Sequence, residues 1–260
     1  MENELNQSIK NGSDNICLGA LTINNGLSIN DVIKVLYEVI IPNVNETVDN
    51  RVQEHLKDII LNIESQGIKD FSSFQRPDCM NKLKSILYYQ ACYNDKSKNK
   101  IFSDLLSQKM TSNWNEDKQF NVMIDKSIDL MNNLSIKHID FLSIICISKN
   151  IKLSFSGNYT SESFCSILND FARDFKCDDI NGNDIAYLFS IGCLTLSIID
   201  SVSQLAEMYN LDKATLNNML LPVFKKVPPD YHLTPISIPI AIANINLKKN
   251  FRYDYKQYMI

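Results

Sequence analysis

LTINNGLSINDVIKVLYEVI, residues 21–40, carries two different periodicities on either side of one glycine. Before Gly26, Asn15 to Leu18 and Ala20 to Asn24 form short extended candidates separated by Gly19, and Asn25 with Gly26 supplies turn chemistry. After it, Leu27, Val32, Val35, Leu36, Val39 and Ile40 recur at helical spacing. Ser28 followed by Asp31 reads as an N-cap with an acidic third residue, a variant of the capping box. A strand-forming opening therefore stands in front of a helical pattern.

Outward from this junction the helical reading continues. Pro42 interrupts the first helix, and Val44, Val48, Val52, Leu56, Ile59, Ile60 and Ile63 resume it as far as Gly67, a suitable residue just past a helix end. Further helices are expected over Asp78 to Tyr93, Lys98 to Met110 and Asp117 to Asn133, then as an apolar helix capped by Ser135 and containing His138, Ile139, Leu142, Ile145 and Cys146, and over Ser161 to Phe175, Ser201 to Tyr209 and Lys213 to Phe224. Thr234 and Pro235 read as the cap and first residue of a last helix, ISIPIAIANINL. In the tail FRYDYKQYMI, aromatic and charged residues alternate, which suggests a C-terminal strand.

The expected fold class is thus mainly α: a helical domain, 27–260, behind a short N-terminal β segment, 1–26, with the tail strand at the other end. Seven glycines and seven prolines among 260 residues suit long elements with short connections, and argue against a β sandwich. A net charge of −4 is too small to demand a nucleic-acid partner. The seven cysteines are scattered, odd in number and never spaced as CxxC, which fits reduced thiols in a cytoplasmic protein. MENELNQSIK is polar and has no apolar core, so it does not read as a secretory signal. The uncharged run from Ile185 to Ile199 would span roughly 22 Å as a helix, short of a bilayer core of about 30 Å, and reads as a buried element; no membrane span is expected.

Catalytic motifs do not emerge. His55, His138 and His232 sit on separate elements without metal-ligand spacing. His138 and Asp140 flank one position and point to different faces of a helix. Cys193 beside Gly192 lacks a nucleophile elbow, and Asp178, Asp179 and Asp184 lack the order of a calcium loop and read as solvated. Phosphate-loop patterns fail to match. No catalytic residue, metal site or cofactor is assigned.

Two surfaces carry the interaction readings. An isolated hairpin is marginal in water and its edges present unpaired backbone groups, so Asn15, Ile16, Leu18, Leu21 and Ile23 are the candidate interaction residues. Their partner strand could come from the same chain, from another copy or from another protein. The alternative is a nucleic-acid-binding regulator using Lys248, Lys249, Arg252 and Lys256 among tail aromatics, less favoured because one aromatic row can pack inward. A membrane-acting effector rests only on the Ile185 to Ile199 run.

The opening resembles that of a family of uncharacterised bacterial proteins known by locus-derived names, Gly-Asp-Gly-Ser-x-Asn-Ile-Gln-Ala-x-Gly-x-Ile-Thr-Ile-Asn-x-Gly-Leu. The matching residues are Gly12, Ser13, Asn15, Ile16, Gly19, Thr22, Ile23, Asn24, Gly26 and Leu27. LTPISIPIAIANI, Leu233 to Ile245, resembles the family's Leu-Thr-x-x-Gly-x-x-Ile-Ala-x-x-Asn-Ile ending, and NLSIKHIDFLSIICI and the Gly192–Cys193 segment are similar in pattern. Asn11, Cys17, Leu18 and Leu21 depart from the opening motif, and Pro239 from the closing one. Similar openings occur on bacterial proteins linked to conflict with phages and mobile elements. The resemblance therefore implies an oligomerisation or adaptor role in antiphage defence. Read together, these features give a non-enzymatic oligomerisation or partner-binding protein.

Overall fold

The structure, a computed structural model, describes residues 28–40, 46–112, 117–150, 160–177, 179–196, 201–220, 224, 231–250 and 254–255. The N-terminal β candidates, with Asn15, Ile16, Leu18, Leu21 and Ile23, lie outside the described residues, as do Arg252 and Lys256.

Two consecutive helices, α1 (Ile29–Ile40) and α2 (Glu46–Ser65), open the described chain. The α1 cap forms as its sequence requires: Asp31 N–H donates to Ser28 Oγ at 3.3 Å, and Ser28 N–H donates back to Asp31 Oδ2 at 3.3 Å. Past Ser65, Gly67 takes the left-handed conformation (φ 90°) that a side chain would strain. Elsewhere asparagine does this work in a glycine-poor chain: Asn94, Asn210 and Asn250 all have φ near 52° and stand at helix ends.

After α3 (Pro77–Tyr93), α4 (Asn99–Thr111) and α5 (Lys118–Met131) comes α6 (Ile136–Lys149), buried on all sides from His138 to Lys149. Apolar residues of IKHIDFLSIICISK fall on every side of the helix, so only a central position removes them all from water. It packs along α11 (Ile238–Lys249), whose Ile238 to Ile245 are equally buried. The α4 and α5 helices cover α11, and α2 and α3 pack on α4. Smaller helices, α7 (Ser161–Ala172), α8 (Gly182–Ser190), α9 (Ser201–Tyr209) and α10 (Lys213–Met219), gather on the other flank, with α9 against α6 and α10 against both α7 and α9.

The run from Ile185 to Ile199 does not make one helix. Gly192 turns left-handed (φ 78°), Cys193 N–H closes back on Leu188 O at 2.9 Å, and the chain leaves α8 as β1 (Leu194–Leu196). That strand pairs antiparallel with β2 (Tyr231–Leu233), Leu194 opposite Leu233 and Leu196 opposite Tyr231. No described helix is long and apolar enough to cross a membrane.

The last helix starts later than its Thr-Pro pair suggests. Thr234 is drawn into the Gly192 turn, its Oγ1 donating to Gly192 O at 2.7 Å and its N–H to Cys193 O at 3.0 Å, so the chain turns once more before Ile238. Pro239 then falls in the first turn of α11, where its missing N–H is one that the helix would leave unbonded anyway. At the tail, Asp254 is irregular and Tyr255 lies in a 3₁₀ turn, so at those two residues the expected strand is absent: Tyr255 is instead buried against α4.

Candidate functional site

Several polar nodes inside the body hold buried ionisable groups, among them His55, Lys109, His138 and Asp140. The first centres on Asp140 of α6, which is wholly buried. Its Oδ1 accepts from Asn244 Nδ2 at 2.8 Å and lies 2.7 Å from Lys248 Nζ, while Oδ2 accepts from Lys176 N–H at 2.8 Å and from Lys248 Nζ at 2.9 Å. Lys248 also donates to Asp174 O at 2.7 Å and sits 5.2 Å above the Phe175 ring. Lys249 pairs with Asp174 over the Phe171 ring. Two of the four cations proposed for nucleic acid are thus turned toward carboxylates and rings of their own body.

The second node joins α3, α4 and α5. Lys109 is fully buried with its Nζ 2.9 Å from Asp78 Oδ2 and 2.8 Å from Asp125 Oδ1. Arg76 grips Asp78 through Nε and Nη2, and donates to the Lys109 and Ser112 carbonyls at the end of α4. Burial pushes the Asp78 carboxyl up, but Arg76 and Lys109 more than reverse it and hold it down to about 2.

Both fully or nearly buried histidines are consumed by structure. His55 Nδ1 accepts from Asn99 Nδ2 at 2.9 Å and Nε2 donates to Asn94 Oδ1 at 3.1 Å, tying α2 to the ends of α3 and α4. His138 Nδ1 accepts from Ser135 N–H at 3.3 Å, completing the α6 capping box, and Nε2 donates to Asp184 Oδ1 at 3.1 Å. With both ring nitrogens bonded, neither imidazole has an atom left to face a substrate. Asp184 is no solvated loop carboxylate: burial raises it, yet His138, Lys137 and the Asn181 N–H hold it down to about 2. Cys193 is also inert, because burial pushes its thiol up to about 12. Among the described residues no group of three or more His, Cys, Asp and Glu could hold a metal ion.

A further node is Asp104 of α4, whose Oδ2 accepts from the buried Tyr255 hydroxyl. Burial pushes this carboxyl up to about 6, with the Tyr255 hydrogen bond opposing. The folded state therefore binds a proton that the unfolded chain, near 3.8, has released. The associated stability is full below about pH 4 and lost as pH rises through 6, a difference of about 3 kcal/mol at most. Urea titrations at pH 4.5 and 7.5 should show this loss in the parent chain and its removal in Asp104→Asn; equal pH slopes in the two would refute it.

One outward feature has the form of a binding site. A groove of about 720 Å³ runs between α1 and α2. Asn30, Ile33, Lys34 and Tyr37, a stripe at i, i+3, i+4 and i+7, line it from α1; Asn50, Arg51, Gln53, Glu54 and Lys57 line it from α2. Ile33 and Tyr37 are half-buried and form its apolar part. Glu54 is drawn off by Lys96 at 2.9 Å, and Arg51 donates to Ala91 O at 3.3 Å. Lys34 and Lys57 stand exposed. In the sequence, this stripe is only a mixed polar and apolar flank of an amphipathic helix; what makes it a groove is the neighbouring stripe of α2.

Fold and site together define a mainly α protein with a cationic, partly apolar groove between its first two helices. A family model described only as ":-like", of uncharacterised proteins, matches residues 27–227, and the chain belongs to that family. The two motifs on which the resemblance was read, Gly12 to Leu27 and Leu233 to Ile245, lie outside the matched span except for Leu27. No curated protein and no solved structure matches the chain.

Proposed function

We propose that this protein is a non-enzymatic oligomerisation or partner-binding protein that uses residues 1–26 as its interaction element, with Asn15, Ile16, Leu18, Leu21 and Ile23 making the contacts. The observation that supports this reading is the α1–α2 groove, an amphiphilic channel whose first lining residue, Asn30, stands two positions after Ser28, where the segment joins the body. Its mixture of exposed cations and half-buried Ile33 and Tyr37 suits an extended chain better than a small enclosed ligand. The internal nodes fit the same role, since they fasten helices to one another and leave a firm platform. The resemblance of the opening to proteins of bacterial conflict systems points this role toward antiphage defence.

Light scattering on the full chain and on a variant carrying Ile16→Ser, Leu18→Ser, Leu21→Ser and Ile23→Ser tests the proposal without changing charge. The parent should show a mass above that of one chain, or capture a partner, and the variant should lose this while keeping its helical circular dichroism. Equal masses and equal capture would remove the idea.

A further inference from the structure

We propose that Tyr255 clasps the C-terminal tail to the outer side of α4 and that Asp104 works the clasp as a proton switch, seated while its carboxyl is protonated and released when it ionises. The placement of the two groups supports this. The α4 helix is packed against α2, α3, α5 and α11. Its least buried residues, Lys100, Asp104, Gln108 and Thr111, recur at i, i+4, i+8 and i+11 and so form one outer stripe. Asp104 is therefore a residue of the body's rim. Tyr255, which follows the left-handed Asn250 at the end of α11, meets it there and is itself only 1% exposed.

Among the described residues the Tyr255 hydroxyl is the only donor to the Asp104 carboxylate. Charges on the surrounding helices are engaged elsewhere. Asp58 and His55 of α2 face Asn99, Asp78 of α3 and Asp125 of α5 hold Lys109, and Lys248 and Lys249 of α11 turn to Asp140 and Asp174. Lys100 on α4 and Asp254 beside Tyr255 are exposed. Burial and Asp104 together push the Tyr255 hydroxyl well above its usual range, so it stays a donor through neutral pH. One hydrogen bond does not offset the water that an ionised carboxylate gives up under the tail, whereas the neutral acid gives up little and can still donate and accept. Seating the tail thus takes up a proton: the seated carboxyl stands at about 6, against 3.8 where water reaches it. Seating is therefore strongest at acid pH and weakens about tenfold between about pH 5 and 7.5.

Hydrogen–deuterium exchange on the full chain, corrected for the intrinsic effect of pH on amide exchange, tests the clasp through the peptide that contains Tyr255. Its protection should fall about tenfold from about pH 5 to 7.5. Dilute urea separates the clasp from the rest: a local opening exposes little surface, so the Tyr255 peptide should barely respond while the α6 and α11 peptides lose protection. Asp104→Asn, which still accepts from Tyr255 but does not ionise, should keep the tail equally protected at both pH values. Tyr255→Phe removes the donor that favours the ionised form, so its fall over the same range should be steeper than the parent's. A Tyr255 peptide without protection at the lower pH, or with equal protection at both, would overturn the clasp. So would a tail that responds to urea in step with α6 and α11, or an Asp104→Asn variant that follows the parent. Should Asp104→Asn fail to fold, the slope of Tyr255→Phe decides, and one no steeper than the parent's rejects the switch.

Discussion

Replacing Asp140 by alanine should lower the unfolding free energy by about 3–5 kcal/mol, the range for removing one partner from a buried charge pair. The carboxylate is wholly buried and holds together three parts of the chain: α6 itself, Asn244 and Lys248 of α11, and the Lys176 N–H beyond α7. Its loss leaves one hydrogen of the Asn244 amide, whose other donates to Ser143 Oγ at 2.9 Å, and the Lys176 N–H without an acceptor where water enters poorly, and each such group costs about 1–3 kcal/mol. Lys248 suffers less, because a quarter of its side chain is exposed and it keeps the Asp174 carbonyl and the Phe175 face. Asp140→Asn keeps the shape but must turn an NH₂ toward one of the present donors, so about 2–3 kcal/mol is expected. Urea unfolding of the two variants checks both the size and the order. A loss under 1 kcal/mol for alanine would mean that α6 and α11 are held by their apolar contact alone.

The same residue shows how far a sequence can be read and where it stops. Apolar spacing located the helices because burying one face is a local property of about a dozen residues, and Ser28–Asp31 and Ser135 marked starts because a cap needs only its own first turn. Asp140 looked like a helix residue beside His138; its true partner Lys248 is 108 positions away, and nothing in either neighbourhood encodes the pairing. His138 and Asp184 are likewise 46 positions apart. The β1–β2 pair escaped because three-residue strands have too few alternations to show a period, and Leu194 to Leu196 sits in an uncharged run that reads equally well as helix. Charges were the hardest. Lys109 and Asp140 belong to types that are exposed by default, and only the folded arrangement of neighbouring helices removes them from water. The groove shares this difficulty, since Lys34 and Lys57 come to line one groove only once α1 lies against α2.

Lys109 provides the sharper test of what these buried charges contribute. Lys109→Ala should cost about 3–5 kcal/mol, because it opens a void along the lysine stem and strips Asp125 of the cation 2.8 Å away. Lys109→Met fills the space without the charge and should cost about half as much. Asp78 survives either change better than Asp125, since Arg76 keeps its two contacts with the Asp78 carboxylate. Removing the buried cation nevertheless withdraws part of what holds Asp78 down to about 2. In the parent, the stability supplied by Asp78 is present above its unfolded value of 3.8 and is lost as pH falls toward 2; in Lys109→Met the folded-state value moves up toward 3.8, so that loss should be smaller and complete at a higher pH. Pairing Lys109→Met with Asp125→Leu removes the orphaned carboxylate as well and should bring stability back to within about 1 kcal/mol of the parent. Recovery in the double variant would show that the ion pair ties α4 to α5 without net gain over apolar packing. Failure to recover, with acid unfolding at the parent's pH, would show instead that Lys109 stabilises the body beyond its volume and that Arg76 alone sets the Asp78 titration.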